Sequence, residues 1–139
     1  MQIAEYQKQY ELEGKYWWWV GRRELIIDQL NRLVRKPINL LDIGCGTGIN
    51  LGYFKNYGFA IGFDFSQHAL HFCKSRGHTI LVQADAQKIP FRNKTFDVIT
   101  TLDLLEHLES DAQAVREISR VLKPEGKLIL TVPALNLLW

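Results

Sequence analysis

The sequence predicts an α/β fold, a parallel sheet with helices on both faces. Three observations predict it. Short apolar runs alternate along the chain with stretches of helical spacing, the signature of βαβ units. The first of these runs breaks directly into a glycine-rich turn. Aspartates then recur at the ends of three later runs, at Asp64, Asp85 and Asp103. In open parallel sheets the ligand lies beyond the carboxyl ends of the strands, which is where all these residues fall.

The elements follow in order. Residues 1–13 alternate polar and aromatic positions and suit a short helix. From Trp18 to Arg35 the positions Val20, Leu25, Ile26, Ile27, Leu30, Leu33 and Val34 recur at helical spacing, until Pro37 stops them. Ile38–Gly44 reads as a strand buried on both faces. Thr47–Gly58 reads as a helix closed by glycine, and Phe59–Phe65 as the second strand. Ser66 suits the N-cap of a helix running to Arg76, with Gly77 ending it. His78–Asp85 and Lys94–Asp103 supply strands three and four. Ser110 and Gln113 form a capping box for a helix that turns Ala114, Val115, Ile118, Val121 and Leu122 inward. Lys123–Gly126 makes a turn, and Lys127–Pro133 is strand five.

Composition narrows the function. With 139 residues, 47% hydrophobic and 23% charged, the chain fits one domain that needs no disulfide staples. Its 17 basic and 15 acidic residues are interspersed and leave a net charge of +2, too little for a nucleic-acid footprint. No apolar run approaches a membrane span, and the polar N-terminus lacks the layout of a signal peptide. Cys45 and Cys73 are not at metal spacing and read as reduced thiols of a cytoplasmic protein. No metal site is expected, because no histidines or acids stand at ligand spacing.

The glycine turn is the first functional candidate. Gly44, Gly46 and Gly48 give the pattern G-x-G-x-G, whereas a dinucleotide loop needs glycine where Ile49 stands. Asp42, two residues upstream, would repel a pyrophosphate and suits a cationic ligand instead. Asp64 lies twenty residues beyond Gly44, where an acid accepts ribose hydroxyls. Asp85 is placed to accept from an adenine amino group.

Taken together, the segments LLDIGCGTG, GFDFS, QADAQKIPF, FDVITTLDLLEHL and RVLKPEGKLILTVP resemble the ordered motifs of class I S-adenosylmethionine-dependent methyltransferases, closest to the type 11 small-molecule branch. The resemblance runs from Tyr16 to Trp139. It implies a Rossmann-like sheet with S-adenosyl-L-methionine as cofactor and S-adenosyl-L-homocysteine as product. It implies that Gly44, Cys45, Gly46 and Gly48 wrap the methionine part, that Asp42 faces its amino end, and that Asp64 takes the ribose. Asp85 and Ala86 would take the adenine, with Phe65 flanking the ring, and Leu102 and Asp103 would lie near the sulfonium. Residues 1–37 would form a helical lid over a core of residues 38–139.

The family's sheet has seven strands, and this sequence stops after the fifth. An unpartnered apolar strand five is expected at the edge, with a second copy of the chain as one possible cover. The expected partner is a small-molecule acceptor, with no nucleic acid and no membrane. A non-catalytic module that binds S-adenosylmethionine or its product is the alternative reading. Methyl transfer from a sulfonium needs alignment and exclusion of water, and a base only where the acceptor carries a proton. His107 is the candidate base, while His68, His71 and His78 read as surface residues. In the lid segment YWWWVGRRE, one or two of Trp17, Trp18 and Trp19 are expected to pack inward and one to line the pocket. Arg22 or Arg23 is expected to meet the cofactor's carboxylate.

Overall fold

The computed structural model describes residues 3–133. Five parallel strands form one sheet: β1 (Ile38–Ile43), β2 (Gly58–Asp64), β3 (Leu81–Gln83), β4 (Phe96–Leu102) and β5 (Leu122–Thr131). Their spatial order is β3-β2-β1-β4-β5, so the chain builds outward from β1 to β3 and then returns to β1's other side. The expected α/β sheet is therefore present. The reversal opens a crevice between the carboxyl ends of β1 and β4.

The helices are α1 (Ile3–Leu12), α2 (Trp17–Leu33), α3 (Ile49–Phe54, extended by a 3-10 turn at Lys55–Tyr57), α4 (Gln67–Ser75) and α5 (Asp111–Val121). They divide between the two faces of the sheet. On one face Ile26 and Leu30 of α2, Leu51 and Phe54 of α3 and Leu70 of α4 pack on Leu40, Ala60 and Val98. On the other, Ala114, Ile118 and Val121 of α5 pack on Leu41, Ile43, Phe63 and Ile99. Side chains alternate across each strand, so neighbours such as Leu40 and Leu41 serve opposite cores. Buried aliphatic residues of this kind each contribute about 2 kcal/mol. The N-terminal helices share in this packing, since α2 completes the first core and Tyr6 and Tyr10 of α1 stack on Phe72 of α4.

Several local expectations change. The Ser66 hydroxyl accepts from the Ala69 amide and the Ser110 hydroxyl from the Gln113 amide, so both serines cap their helices. The capping box is one-sided, because the Gln113 side chain reaches the Gln87 carbonyl and Arg116. Val115 is exposed rather than inward, and Leu122 opens β5 instead of closing α5. β3 is shorter than its apolar run, because it pairs only with Gly62–Asp64 at the sheet edge. In β5, Leu122 opposes Phe96 while Lys127 opposes Val98, so the predicted turn survives as a bulge within the strand. β5 is the opposite edge, with Leu128, Leu130 and Val132 exposed. Residues 134–139 of the predicted apolar tail lie outside the described residues. Among the described residues no helix is long and apolar enough to cross a membrane.

Candidate functional site

β1 runs into a loop whose glycines Gly44, Gly46 and Gly48 adopt φ of +74°, +54° and +81°. This left-handed backbone strongly favours glycine. The carbonyls of three successive loop residues are pinned from α4 and the residues just beyond it. Cys73 Sγ donates to Gly46 O at 3.2 Å, Arg76 Nε to Thr47 O at 3.0 Å, and His78 Nε2 to Gly48 O at 2.7 Å. A Cβ on Gly48 would stand 2.8 Å from Cys73 Sγ. Gly48→Ala is accordingly expected to cost about 2 kcal/mol through strain and collision, read as a lowered midpoint of thermal unfolding.

Two carboxylates of the sheet stand beside the loop. Asp42 is buried on β1, directly opposite Thr100 of β4, whose hydroxyl donates to Asp42 Oδ1 at 2.6 Å. Burial raises the Asp42 pKa from 3.8 to about 7, reinforced by Asp64 and opposed by the Thr100 bond and Arg22. Asp64 ends β2 and accepts from the Gly46 amide at 3.0 Å and the Ser66 amide at 2.8 Å. Its pKa is also raised, with burial the main cause and these amides opposing it.

The N-terminal helices close over this floor. Glu13, just past α1, is buried and accepts from the Thr47 hydroxyl, from Arg76 at 2.7 Å and from Gln9 at 3.1 Å. Arg23 of α2 donates to the Glu13 carbonyl at 3.2 Å and lies over the Tyr53 ring. Arg22 pairs with Asp103, at the carboxyl end of β4, and Asp103 also accepts from the Thr131 hydroxyl at 2.7 Å. Between floor and lid remains a cavity of about 40 Å³, lined by Gln9, Glu13, Trp19, Arg22, Arg23, Asp42, Gly44, Cys45, Gly46, Ile49, Asn50 and Leu102. A larger hollow of about 370 Å³ lies at the other end of the sheet, around Lys94, Arg120 and Lys123. It is remote from the strand ends where acids gather. Two of its cations are already paired, Arg120 with Glu117 and Lys123 with Asp97.

The structure thus brings Arg22, Asp42, Gly44, Cys45, Gly46 and Leu102 together around one cavity, with Asp64 one hydrogen bond away. Gly48 shapes the loop from behind. Other predicted residues stand differently. Phe65 is 74% exposed, because it follows the last paired residue of β2 and turns outward. Ala86 is buried in the core beneath α5, so it can offer a ligand only its backbone. Asp85 Oδ1 holds the Gln87 amide at 2.8 Å in a tight turn. Asp103 is occupied by Arg22, and His107 is exposed on a 3-10 turn after β4. His78 is not a surface residue: it is buried, and burial lowers its pKa while the Gly48 carbonyl opposes. Trp17 and Trp18 are exposed instead of packed inward, and Trp19 lines the cavity. Glu13 and Arg76 were not among the site residues expected from the sequence. Among the described residues no three histidines, cysteines or acids gather as metal ligands.

A methyltransferase-domain family model matches residues 41–130, from β1 through most of β5. The chain belongs to the class I S-adenosylmethionine-dependent methyltransferases. It is 36% identical over 96 residues to a tRNA (carboxymethyluridine(34)-5-O)-methyltransferase of Arabidopsis thaliana, covering 67% of this chain and 23% of that one. It is 34% identical over 116 residues to a demethylmenaquinone methyltransferase of Lactobacillus johnsonii, covering 71% and 48%. The chain therefore spans less than half the length of either relative. Among solved structures, a SAM-dependent methyltransferase from Aquifex aeolicus superposes with a TM-score of 0.74 at 19% identity, covering 94% of this chain and 72% of that one. At that identity the likeness speaks for the fold. S-adenosylmethionine is the family's cofactor.

Proposed function

We propose that this methyltransferase binds S-adenosylmethionine in the β1–β4 crevice and directs its methyl group to a small organic acceptor. One observation carries the reading: a buried carboxyl, Asp42, and a guanidinium, Arg22, line the same cavity. They match the ammonium and carboxylate of the cofactor's amino-acid end. The donor set fits the rest of the cofactor as well. Asp64 retains lone pairs for ribose hydroxyls beyond its two amide bonds, and the Asp85 turn stands where adenine would lie. When bound, the cofactor supplies a methyl group already activated on a sulfonium.

The chain's own task is to position and to dry the site. A cavity of about 40 Å³ holds little more than one small group, so α1 and α2 must shift to admit the cofactor. Reclosure would place Trp19 over it and exclude water. Arg22 would exchange Asp103 for the ligand's carboxylate, a bidentate match. His107, exposed beyond the carboxyl end of β4, would take a proton from an acceptor hydroxyl or amine.

The acceptor side is aromatic. Trp19 meets Tyr16 at 5.5 Å between ring centroids, Tyr16 meets Trp17 at 6.2 Å, and Trp17 meets Trp18 at 5.8 Å. This series runs from the cavity wall to exposed rings and suits a flat, apolar acceptor. The tRNA-modifying relative is far longer than the matched region, and a net charge of +2 favours the small-molecule reading.

Calorimetry should show S-adenosylmethionine binding and no binding of NAD. Arg22→Gln is expected to weaken that binding at least tenfold, with kcat reduced less than kcat/KM once a turnover acceptor is found among phenols and quinols. Preference for NAD would overturn the reading. Unchanged affinity in Arg22→Gln would leave Arg22 a mechanical part of the lid.

A further inference from the structure

The thiols of Cys45 and Cys73 carry no chemistry in the methyl-transfer reading, yet they meet. Their sulfurs are 3.7 Å apart, in van der Waals contact, although the residues lie 28 positions apart and on different elements. Cys45 sits in the glycine loop and lines the cavity, while Cys73 lies on α4, wholly buried behind it. The contact is closely packed. Gly62 of β2 gives the space in which Leu51, Leu81 and Cys45 pack, since a Cβ there would stand 2.5 Å, 2.7 Å and 3.3 Å from their side chains. Cys73 Sγ also donates to Gly46 O, in the same loop. No disulfide joins the pair.

We propose that Cys45 and Cys73 are a reversible disulfide site, closed by hydrogen peroxide entering through the crevice, that lowers affinity for the cofactor and is shielded while the cofactor is bound. The proposal rests on the reading that the glycine loop holds the cofactor. Only Cys45 borders the cavity, so it is oxidised first. Its thiolate attacks one peroxide oxygen, the O–O bond breaks, and the leaving hydroxide takes up the thiol's proton as water. Cys73 then attacks the Cys45 sulfenic sulfur, the S–OH bond breaks, and a second water carries away the Cys73 proton. Two thiols and one peroxide thus give one disulfide and two waters, and a dithiol reductant reverses the change. The hydrogen bond with Cys73, and burial after it, hold the Cys45 thiol well above its ordinary pKa, which makes the first step slow.

The effect on binding follows from distance. A disulfide needs sulfurs about 2.05 Å apart, so both must move together by roughly 1.6 Å in all. Cys45 pulls on the loop, and Cys73 can no longer donate to Gly46 O. Two anchors of the cofactor loop change at once.

The full chain is treated with hydrogen peroxide, with and without S-adenosylmethionine, and examined by intact mass and by non-reducing peptide mapping. Expected are a mass loss of two hydrogens, a Cys45–Cys73 crosslinked peptide, recovery with dithiothreitol, and slower crosslinking when the cofactor is present. Calorimetry on the oxidised form should show affinity reduced at least tenfold. Cys45→Ser, which removes the thiol that meets peroxide, should show the same affinity before and after peroxide. Sulfinic acids in place of the crosslink would overturn the disulfide, and unchanged affinity of the crosslinked form would overturn its consequence. A reduced protein that fails to bind the cofactor but still crosslinks would refute the functional reading and leave the thiol pair standing.

Discussion

Asp42→Asn is expected to make the ligand-free protein more stable at pH 8 and, in the same variant, to weaken S-adenosylmethionine binding at least tenfold. The two effects share one cause. Asp42 is buried opposite Thr100, and its folded-state pKa stands near 7 against an ordinary 3.8. Between about pH 4 and pH 7 the native state holds a proton that the unfolded chain has released. Asp42's contribution is therefore most favourable below pH 4, is lost as the pH rises through 7, and stays lost above it. A displacement of this size corresponds to roughly 4 kcal/mol. Asparagine keeps the acceptor for the Thr100 hydroxyl and has no charge to bury. Its amide nitrogen needs a partner, however, so only about half the cost should be recovered, roughly 2 kcal/mol. Scanning fluorimetry should show the variant unfolding about 6 °C higher at pH 8 and close to wild type at pH 4.

Binding should run the other way. A cationic ammonium is drawn to an ionised Asp42, so wild-type affinity is expected to rise from pH 6 to pH 8 while that of Asp42→Asn stays nearly flat. Asp64 is raised as well, by burial, and is common to both proteins. His78 is shifted the other way, lowered by burial, and is likewise common to both. Parallel pH profiles in the two proteins would show that the ammonium does not meet Asp42. A carboxylate held at a cost to folding is the form a ligand site takes when part of its binding energy is stored in advance.

How far these residues could be read from sequence depends on the range of the forces that place them. β1 and β4 are short, mainly apolar runs, and a buried parallel strand needs little more to declare itself. Gly44, Gly46 and Gly48 were legible because positive φ restricts residue choice locally. Asp42 and Asp64 were legible because a strand end fixes their position in the sheet. For Phe65 and Ala86 a motif gives position along the chain and not the side to which a residue turns. Phe65 points to solvent and Ala86 into the α5 core. His78 was taken for a surface residue because it follows a helix-ending glycine. Its burial is decided by a carbonyl thirty residues away. The Glu13 cluster left no local trace, since Arg76 lies 63 positions beyond it and polar residues surround both.

That cluster should be the most sensitive polar point of the protein. Arg76→Met is expected to destabilise it by about 3 kcal/mol, because a buried Glu13 carboxylate loses its cation. For a chain of this size the loss lowers the unfolding midpoint by about 10 °C. Methionine fills much of the arginine stem's volume, so lost packing adds little. Arg76 also donates to the carbonyls of Thr47 and Tyr10, which ties the glycine loop to α1 through one side chain. Adding Glu13→Gln should restore more than half of the lost stability, since the neutral amide still accepts from the Thr47 hydroxyl and leaves no charge buried. It should not restore cofactor affinity. The Thr47 carbonyl remains without its anchor in both variants, and the dissociation constant should stay raised severalfold in each. Stability and affinity are thereby separated within one double-mutant cycle. If affinity recovers along with stability, Arg76 acts only by neutralising Glu13, and the posture of the loop is set by Cys73 and His78 alone.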